Sequence, residues 1–537
     1  MTGILWPVDQ ARPQSRWAVP MLVLLVTAGR MLVAGGAGLG DAEAYYWTWS
    51  AHLDLGYYDH GPLVAWLIRA GTVVLGQTSL GVRAPFVLLS GLLLWLMASI
   101  ASRLGDGRAG LWAVLGLLSI PAFVVAGAAA NPDVVLMALV ALFIALALRW
   151  PAPTLAQLGL LGLLAGLSVC AKLQGLGLLV PLALVARRRR AAGLAVGLGT
   201  LLLGAAPVLV WNWQHDWAAL AYHLVRRHLG QPVGFSLLNL AKLVGGQLAY
   251  VSPPMVVGFA AAAVALWRQR TLPSSRLLLW TAATLCGAGY LLILLVPGAE
   301  PHWAVVGYLA LLPPLAARIC TWAASRRWLR ILVAAHLAVA LLVALALHLH
   351  VLTDLGVRLA AGAPWYQARY DLSNELRGWD QVARAVESAL PEGPVMVGGC
   401  HYTSCAQLAF AARGRFQVRC PSPRIDQFDF FPGGDGSSPR GLDLLYVRDE
   451  RFPFDAHQLY RCRVVEPLRR VVLRRGGVAM RRFDLQLCRG FSGLASDRWP
   501  PLPSPTRSTA HGADPPAVDQ QAGDEHGGQD QPSLPDA

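Results

Sequence analysis

A succession of long apolar stretches fills the first two thirds of this chain. Residues 18–38, 82–101, 110–129, 133–149, 155–171, 173–186, 192–212, 240–267, 276–297, 303–320 and 328–351 each read as a candidate membrane span. A helix crossing a bilayer needs ~20 predominantly apolar residues, and in lipid it must satisfy its own backbone groups. The fifth and sixth stretches are short and meet at Lys172. Together they are too long for one crossing, so they read as two short helices joined near one face. The first stretch is followed by Gly-rich 35–40 and then by an acidic aromatic segment, not by a cleavage site, so it reads as a span and not as a signal peptide. Composition agrees. Of 537 residues, 55% are hydrophobic and 14% charged, against about 25% charged in soluble domains. These features exclude a soluble enzyme and a disordered chain.

The net charge of +14 would suggest a nucleic-acid partner in a soluble protein. Here only Lys172 and Lys242 are lysines, and many arginines flank apolar spans. The charge therefore reads as a topology signal, with the bilayer as partner and no nucleic acid. With the N-terminus cytoplasmic, the inner loops carry Arg12, Arg16, Arg103, Arg108, Arg149, Arg187 to Arg190, Arg268, Arg270, Arg276, Arg318, Arg326, Arg327 and Arg330. The outer short loops carry Arg69, Arg83, Lys172, Arg226, Arg227 and Lys242. The positive-inside rule then places everything after about residue 352 outside.

Three regions follow. Residues 1–351 form the membrane domain. Residues 355–492 hold alternating stretches, GPVMVGG, DLLYVRD and RRVVLRRGG, punctuated by Gly and Pro, and read as a small α/β domain. Residues 496–537 are rich in Pro, Ser, Gln, Asp and Gly and read as a disordered acidic tail. Five cysteines, Cys400, Cys405, Cys420, Cys462 and Cys488, fall in the middle region. An odd number leaves at least one thiol free. Cys400 and Cys405 are nearest in sequence, while Cys462 and Cys488 would join two predicted strands. The connectivity stays open. There is no CxxC, GxxxxGK[ST], GxGxxG or HExxH.

Polar groups concentrate in the outer loops. The first, DAEAYYWTWSAHLDLGYYDHGPLVAWLIR from Asp41 to Arg69, carries Asp41, Glu43, Asp54, Asp59, His60 and many aromatics. Aromatic rings at an interface are ordinary anchors. Acids at the hydrocarbon boundary are costly unless paired or used. Asp41 ends the first span and Asp133 begins the fourth, at equivalent depth. The plain alternative for each is a helix cap. Lys172, in AKLQG, sits at a turn between apolar helices. Snorkelling is its plain alternative, and phosphate binding the functional one. Glu300-Pro301-His302-Trp303 forms another outer turn. Acids, a His-rich set, one Lys and aromatics on one face suit a lipid-linked anionic sugar. Cations hold the phosphate, carboxylates activate or orient hydroxyls, and rings stack on the sugar. Glu43, Tyr57, Tyr58, Glu300 and His302 fall to the sugar or acceptor. The alternative is a transporter or flippase of a lipid-linked sugar. It calls for ionisable groups near the midplane, where Arg30 is the residue to watch.

At these residues the chain resembles bacterial membrane glycosyltransferases of the GT-C class, in the protein O-mannosyltransferase-like group that includes lipid A aminoarabinose transferases. The first outer loop carries the resemblance. Further matches follow in order: NPD at 131–133, AKLQG at 171–175, PVLVWNWQHDW at 207–217, EPHW at 300–303 and GWDQVARAV at 378–386. The resemblance covers roughly residues 18–490. It implies a mainly α, polytopic fold: a GT-C-like bundle of about eleven transmembrane helices with a C-terminal periplasmic α/β domain, in a bacterial inner membrane. It implies an inverting transfer of a hexosyl or pentosyl group from a polyprenyl-phosphate donor to a periplasmic lipid, glycan or protein. By the same resemblance Asp41 is the leading catalytic acid and Asp133 assists it, while Asp59, His60 and Lys172 hold the donor phosphate. Where relatives often carry Lys this chain has His60, which is no fixed cation when neutral, and Gly61 stands where many have Pro. Some enzymes of the class bind a divalent cation. No metal ligand and no organic cofactor is assigned here, and a divalent cation stays open.

Overall fold

The computed structural model describes residues 17–224, 234–296, 298–431 and 441–495. The acidic tail at 496–537, Arg12, Arg16, Arg226 and Arg227 lie outside the described residues. The chain begins with α1 (Ala18–Gly36), α2 (Asp41–Ala51), α3 (Leu63–Leu75) and α4 (Ser79–Leu104). Next come α5 (Gly107–Leu118), α6 (Pro121–Ala126), α7 (Pro132–Arg149), α8 (Leu155–Ala171), a 3-10 segment (Leu173–Leu178), α9 (Leu179–Ala186) and α10 (Arg190–Gln214). After α11 (Ala218–Leu224) follow α12 (Leu237–Val251), α13 (Pro253–Arg268), α14 (Pro273–Leu295), a 3-10 segment (Pro301–Ala310), α15 (Leu312–Ser325) and α16 (Arg327–Leu352). Polar caps start several of them: Thr78 accepts from Gly81 N at 3.0 Å, Asp106 from Arg108 N at 2.9 Å, and Asn131 from Val134 N at 3.0 Å.

Among the described residues six helical stretches are long and apolar enough to cross a membrane, or eight when two bent pairs are included. The breaks coincide with prolines. The expected span 240–267 is α12 and α13, bent by 102° at Ser252-Pro253. The expected span 303–320 is the second bent pair, a 3-10 segment followed by a helix at 62°, with Pro313-Pro314 in the first turn of α15. The expected span 110–129 is interrupted before Pro121, which donates no backbone hydrogen bond. The expected outer loop 41–69 is in fact largely helical, as α2 and most of α3.

The stretch Leu173–Gln214 is 42 residues long but does not run as one rod. A Cβ on Gly197 would lie 3.5 Å from Leu182 Cδ1, whereas fifteen residues of continuous helix would separate them by ~22 Å. The chain therefore reverses at the arginine turn, where Arg190 has φ of 54°. Helices α8 and α10 run parallel in contact: Cβ atoms on Gly162 and Gly166 would come within 2.2 Å of the Gly197 and Leu201 carbonyls. Small residues let these backbones approach, as in membrane helix pairs generally. The starts of α7, α9 and α4 and the ends of α1, α8 and α10 thus share one end of the bundle. The arginine-rich turns at 149, 187–190 and 268–276 share the other.

The C-terminal unit contains α17 (Leu355–Ala360), α18 (Trp379–Glu387), α19 (Tyr402–Ala412) and α20 (Ala456–Leu459). Its sheet has β1 (Val395–Gly398), β2 (Val418–Arg419), β3 (Asp443–Asp449), β4 (Val464–Arg475) and β5 (Val478–Arg489), in the order β2-β1-β3-β5-β4. β1 is parallel to β2 and β3, and β5 is antiparallel to β3 and β4. Gly476 and Gly477, at φ 56° and 89°, make the tight turn between β4 and β5. Trp379, Val382 and Val386 of α18 pack with Leu408 of α19 and with Val397, Leu445 and Leu485 of the sheet. Of the two cysteine pairs weighed above, only Cys462–Cys488 forms, closing the β4–β5 ladder. Cys400, Cys405 and Cys420 are free and buried.

Candidate active site

The C-terminal unit sits on the bundle end that carries Asp41. Gln407 of α19 reaches down to donate Nε2 to the Leu39 carbonyl at 2.8 Å and to Asp41 Oδ1 at 3.0 Å. Gln427 clamps the first loop from both sides, accepting from Tyr58 N at 2.7 Å and donating its own N–H to Tyr45 Oη at 2.6 Å.

Neither key aspartate is a helix cap. At α2 the orphan N–H of Gly40 is taken by Glu43 Oε2 at 2.8 Å, and at α7 the cap is Asn131. Asp41 is 5% exposed. Its Oδ2 pairs with Arg451 Nη1 at 2.5 Å, and Glu375 Oε2 accepts from its backbone N–H at 3.2 Å. Arg451 is held from behind by Asp449 at 3.1 Å, and Asp449 also pairs with Arg481. A chain of alternating charge thus runs Asp41–Arg451–Asp449–Arg481. Burial works against ionisation of Asp449, yet the Arg481 and Arg451 guanidiniums hold its carboxyl well below the usual range. Burial and the Asp41 charge push Glu375 upward.

Asp133 Oδ1 accepts from Lys172 Nζ at 2.8 Å. Lys172 is 9% exposed, so it does not snorkel to water. His302 and His60 lie within electrostatic reach of Asp133. The AKLQG and EPHW turns are tied together by Gln174 Nε2, which donates to the Trp303 carbonyl at 2.6 Å. Asp59 Oδ2 accepts from Tyr45 Oη at 2.7 Å, and Arg424 of the C-terminal unit faces it. His60 lies 6.2 Å from the His223 ring.

Asp41, Asp133, Lys172, Asp59, His60 and His302 therefore converge on one end of the bundle. Glu300 approaches from the same turn and acts on Tyr250. Three expected sugar or acceptor residues have partners within the protein. Glu43 is 5% exposed and forked onto Arg83, with Nε–Oε1 at 2.7 Å, and it also accepts from Ala130 N at 2.8 Å. It ties the starts of α2 and α4 to the segment before α7. Tyr57 and Tyr58 are 1% and 0% exposed. Tyr57 stacks on Trp49 and bonds the loop backbone, accepting from Asp54 N at 3.1 Å. Tyr58 stacks on Phe430. In this structure both tyrosine rings are covered by neighbouring rings, and the Glu43 carboxylate is held by Arg83 and the Ala130 N–H.

Sequence reasoning missed Arg451, Arg424, Gln407 and His401. Gln407 and Arg451 reach Asp41 across 366 and 410 residues of chain, and no local spacing announces them. His401 stacks on Phe452 at 4.1 Å between ring centroids. Burial, with Arg424 and Arg451 alongside, pushes its imidazole down to about 3, so it is neutral. Among the described residues no group of three or more His, Cys, Asp or Glu is placed to hold a metal ion.

Comparison with known proteins agrees with this architecture. Residues 59–211 match the family model "Dolichyl-phosphate-mannose-protein mannosyltransferase". The chain is 27% identical over 282 residues to the lipid A galacturonosyltransferase RgtD of Rhizobium johnstonii, a match covering 50% of this chain and 58% of that protein. The fold is similar to that of ArnT from Cupriavidus metallidurans, solved bound to undecaprenyl phosphate (TM-score 0.56, 15% identity, 88% of this chain and 98% of that one). The apo ArnT structure gives the same TM-score at 16% identity, covering 87% and 97% of the two chains. The chain is thus similar in fold to ArnT and, over residues 59–211, to that mannosyltransferase family, in line with the resemblance read from its motifs.

Proposed function

We propose that this chain is an inverting glycosyltransferase that moves a hexosyl or pentosyl group from a polyprenyl-phosphate carrier to a lipid, glycan or protein acceptor. The observation that carries the reading is the pair Asp41 and Asp133. Both sit at helix starts on one end of the bundle, and neither is used as a cap. Asp133 is joined to a buried lysine, a residue type costly to bury without a use. The likeness to RgtD and ArnT supports the same class of substrate.

In this reading the carrier's phosphate enters between Lys172 and the loop of Asp59 and His60. An ammonium donates three hydrogen bonds, so Lys172 can bridge Asp133 and a phosphate oxygen. Asp41 accepts the acceptor hydroxyl's proton as that oxygen attacks the anomeric carbon. The bond from the anomeric carbon to the phosphate oxygen breaks, and its electron pair leaves on the phosphate, whose charge Lys172 stabilises. One displacement inverts the anomeric centre and needs no covalent enzyme intermediate. Before an acceptor binds, Asp41 is occupied by Arg451. The acceptor must therefore draw Arg451 aside, and an anionic acceptor group does so by taking over the guanidinium. The same reading places the arginine-rich turns in the cytoplasm, residues 355–492 in the periplasm, and the chain in a bacterial inner membrane with about eleven crossings.

The test is transfer from a polyprenyl-phosphate sugar by purified Asp41→Asn, with carrier binding measured beside it. A general base contributes ~10²–10⁴-fold, so turnover should fall by that order while carrier binding changes little. Lys172→Ala should instead weaken carrier binding. Near-normal turnover in a well-folded Asp41→Asn protein overturns the assignment.

A further inference from the structure

At the bundle end opposite Asp41, the end of α7, the end of α9 and the first turn of α14 line an open cavity of about 90 Å³. One water needs ~10–15 Å³ of such space, so the cavity takes a group several times larger. Its polar lining is Arg187, Arg188, Arg276 and Ser274, with Trp150 beside them, and the remaining wall is apolar, including Leu148 and Val185. No acidic residue lines it. Arg188 is oriented by donating Nη1 to the Pro151 carbonyl, and Arg189 by donating Nε to the Pro153 carbonyl at 2.8 Å. Among the described residues none of the arginines 187–190 or 276 enters an ion pair. The contrast with the other end is sharp: there Asp41, Asp133, Lys172 and Arg451 are all paired.

We propose that this cavity holds the phosphate of an anionic phospholipid headgroup, at a site separate from the one that takes substrate. Three guanidiniums from two turns present the planar donor fork that matches phosphate oxygens. The half-apolar lining decides between the sources of that phosphate. Leucine and valine walls, with a tryptophan at the boundary, suit a headgroup continuous with acyl chains. They do nothing for a free ion. The bound lipid joins the far ends of two elements whose near ends matter. α7 carries Asp133 in its first turn and finishes at the cavity, and the segment that follows Lys172 runs down α9 to Arg187. A lipid there braces both supports of the Asp133–Lys172 pair without touching it.

The full chain, purified in a neutral detergent, is titrated with phosphatidylglycerol, cardiolipin or phosphatidylcholine. Bound lipid is read by native mass spectrometry and by thermal melts. The anionic lipids should bind and raise the melting temperature, and phosphatidylcholine should not. Each arginine contributes roughly fivefold. The triple Arg187→Gln, Arg188→Gln, Arg276→Gln should therefore bind anionic lipid at least about tenfold more weakly. The triple Arg326→Gln, Arg327→Gln, Arg330→Gln removes the same charge from a turn outside the cavity and should bind like the wild type. Should the first triple fold poorly, Arg187→Gln alone should still lose roughly fivefold. Equal losses in both triples, equal binding of phosphatidylcholine, or unchanged binding in Arg187→Gln each overturn the proposal. So does full replacement of the lipid effect by millimolar inorganic phosphate, which would mark a free-anion site.

Discussion

His401 shows how the site's charges are set one residue at a time. It is stacked on Phe452, feels the charges of Arg424 and Arg451, and is buried enough that its imidazole is pushed down to about 3. An unfolded chain takes up that proton near pH 6.5. Between those values the unfolded state binds more protons, so stability falls as pH drops through the window and is fully retained above it. By pH 5 the loss is on the order of 2 kcal/mol. Melting temperatures from pH 7 to pH 5 should therefore decline less steeply in His401→Gln than in the wild type, and parallel declines would show that His401 does not carry the effect. Neutral His401 also leaves the guanidiniums of Arg424 and Arg451 as the positive charges that this unit contributes to the site. Asp449 is the anchor of that arrangement: it is 1% exposed and flanked by two arginines.

At the scale of elements, the parallel packing of α8 on α10 sets the height of Lys172. Lys172 follows α8 directly, so any shift of that helix along its neighbour moves the ammonium relative to Asp133. Gly162 and Gly166 make the close approach, each with a backbone carbonyl where a Cβ would go. Gly199, on α10, has nothing within 4 Å of its added Cβ. Gly166→Leu should cost more than the ~1–3 kcal/mol typical of overpacking, because backbone and not a flexible side chain must yield. Lower yield, a reduced melting temperature and reduced transfer are expected together. Gly199→Leu should match the wild type in all three. A Gly166→Leu protein as stable as Gly199→Leu would contradict the packing described.

At the scale of the molecule, a sheet-bearing unit is laid over a helical bundle, and its own cross-link lies away from the site. Cys462–Cys488 spans 26 residues, and closing such a loop is worth ~3 kcal/mol in the chain-entropy account. Cys462→Ser with Cys488→Ser should lower the melting temperature of the C-terminal unit. Thiol labelling of the denatured, unreduced wild type should find six reactive groups out of eight cysteines; eight would rule out the disulfide. The orientation has its own test. Reporter fusions after residues 107, 190 and 360 should read inside, inside and outside, following the arginine asymmetry. An inside signal after 360 would overturn the proposed topology and with it the periplasmic placement of the site.

What the amino-acid sequence determined by itself was whatever depends on neighbours along the chain. Apolar runs specify helices because lipid forbids unsatisfied backbone. Arginines at one set of turns mark one end of the bundle, and short motifs around Asp41, Asp133 and Lys172 mark the other. The β4–β5 turn is legible in its two glycines, and Cys462–Cys488 was one of two pairings left open. Where spans break was less legible, because a proline can kink a helix or end it, and the neighbouring helices decide which. The tertiary structure alone decided the surroundings of Glu43, Tyr57 and Tyr58, which look exposed in a polar loop and are buried. It alone brought Arg451, Arg424 and Gln407 onto residues of the first loop. Those contacts join parts of the chain hundreds of residues apart, and burial and charge pairing at such range arise only when the C-terminal unit folds back over the bundle.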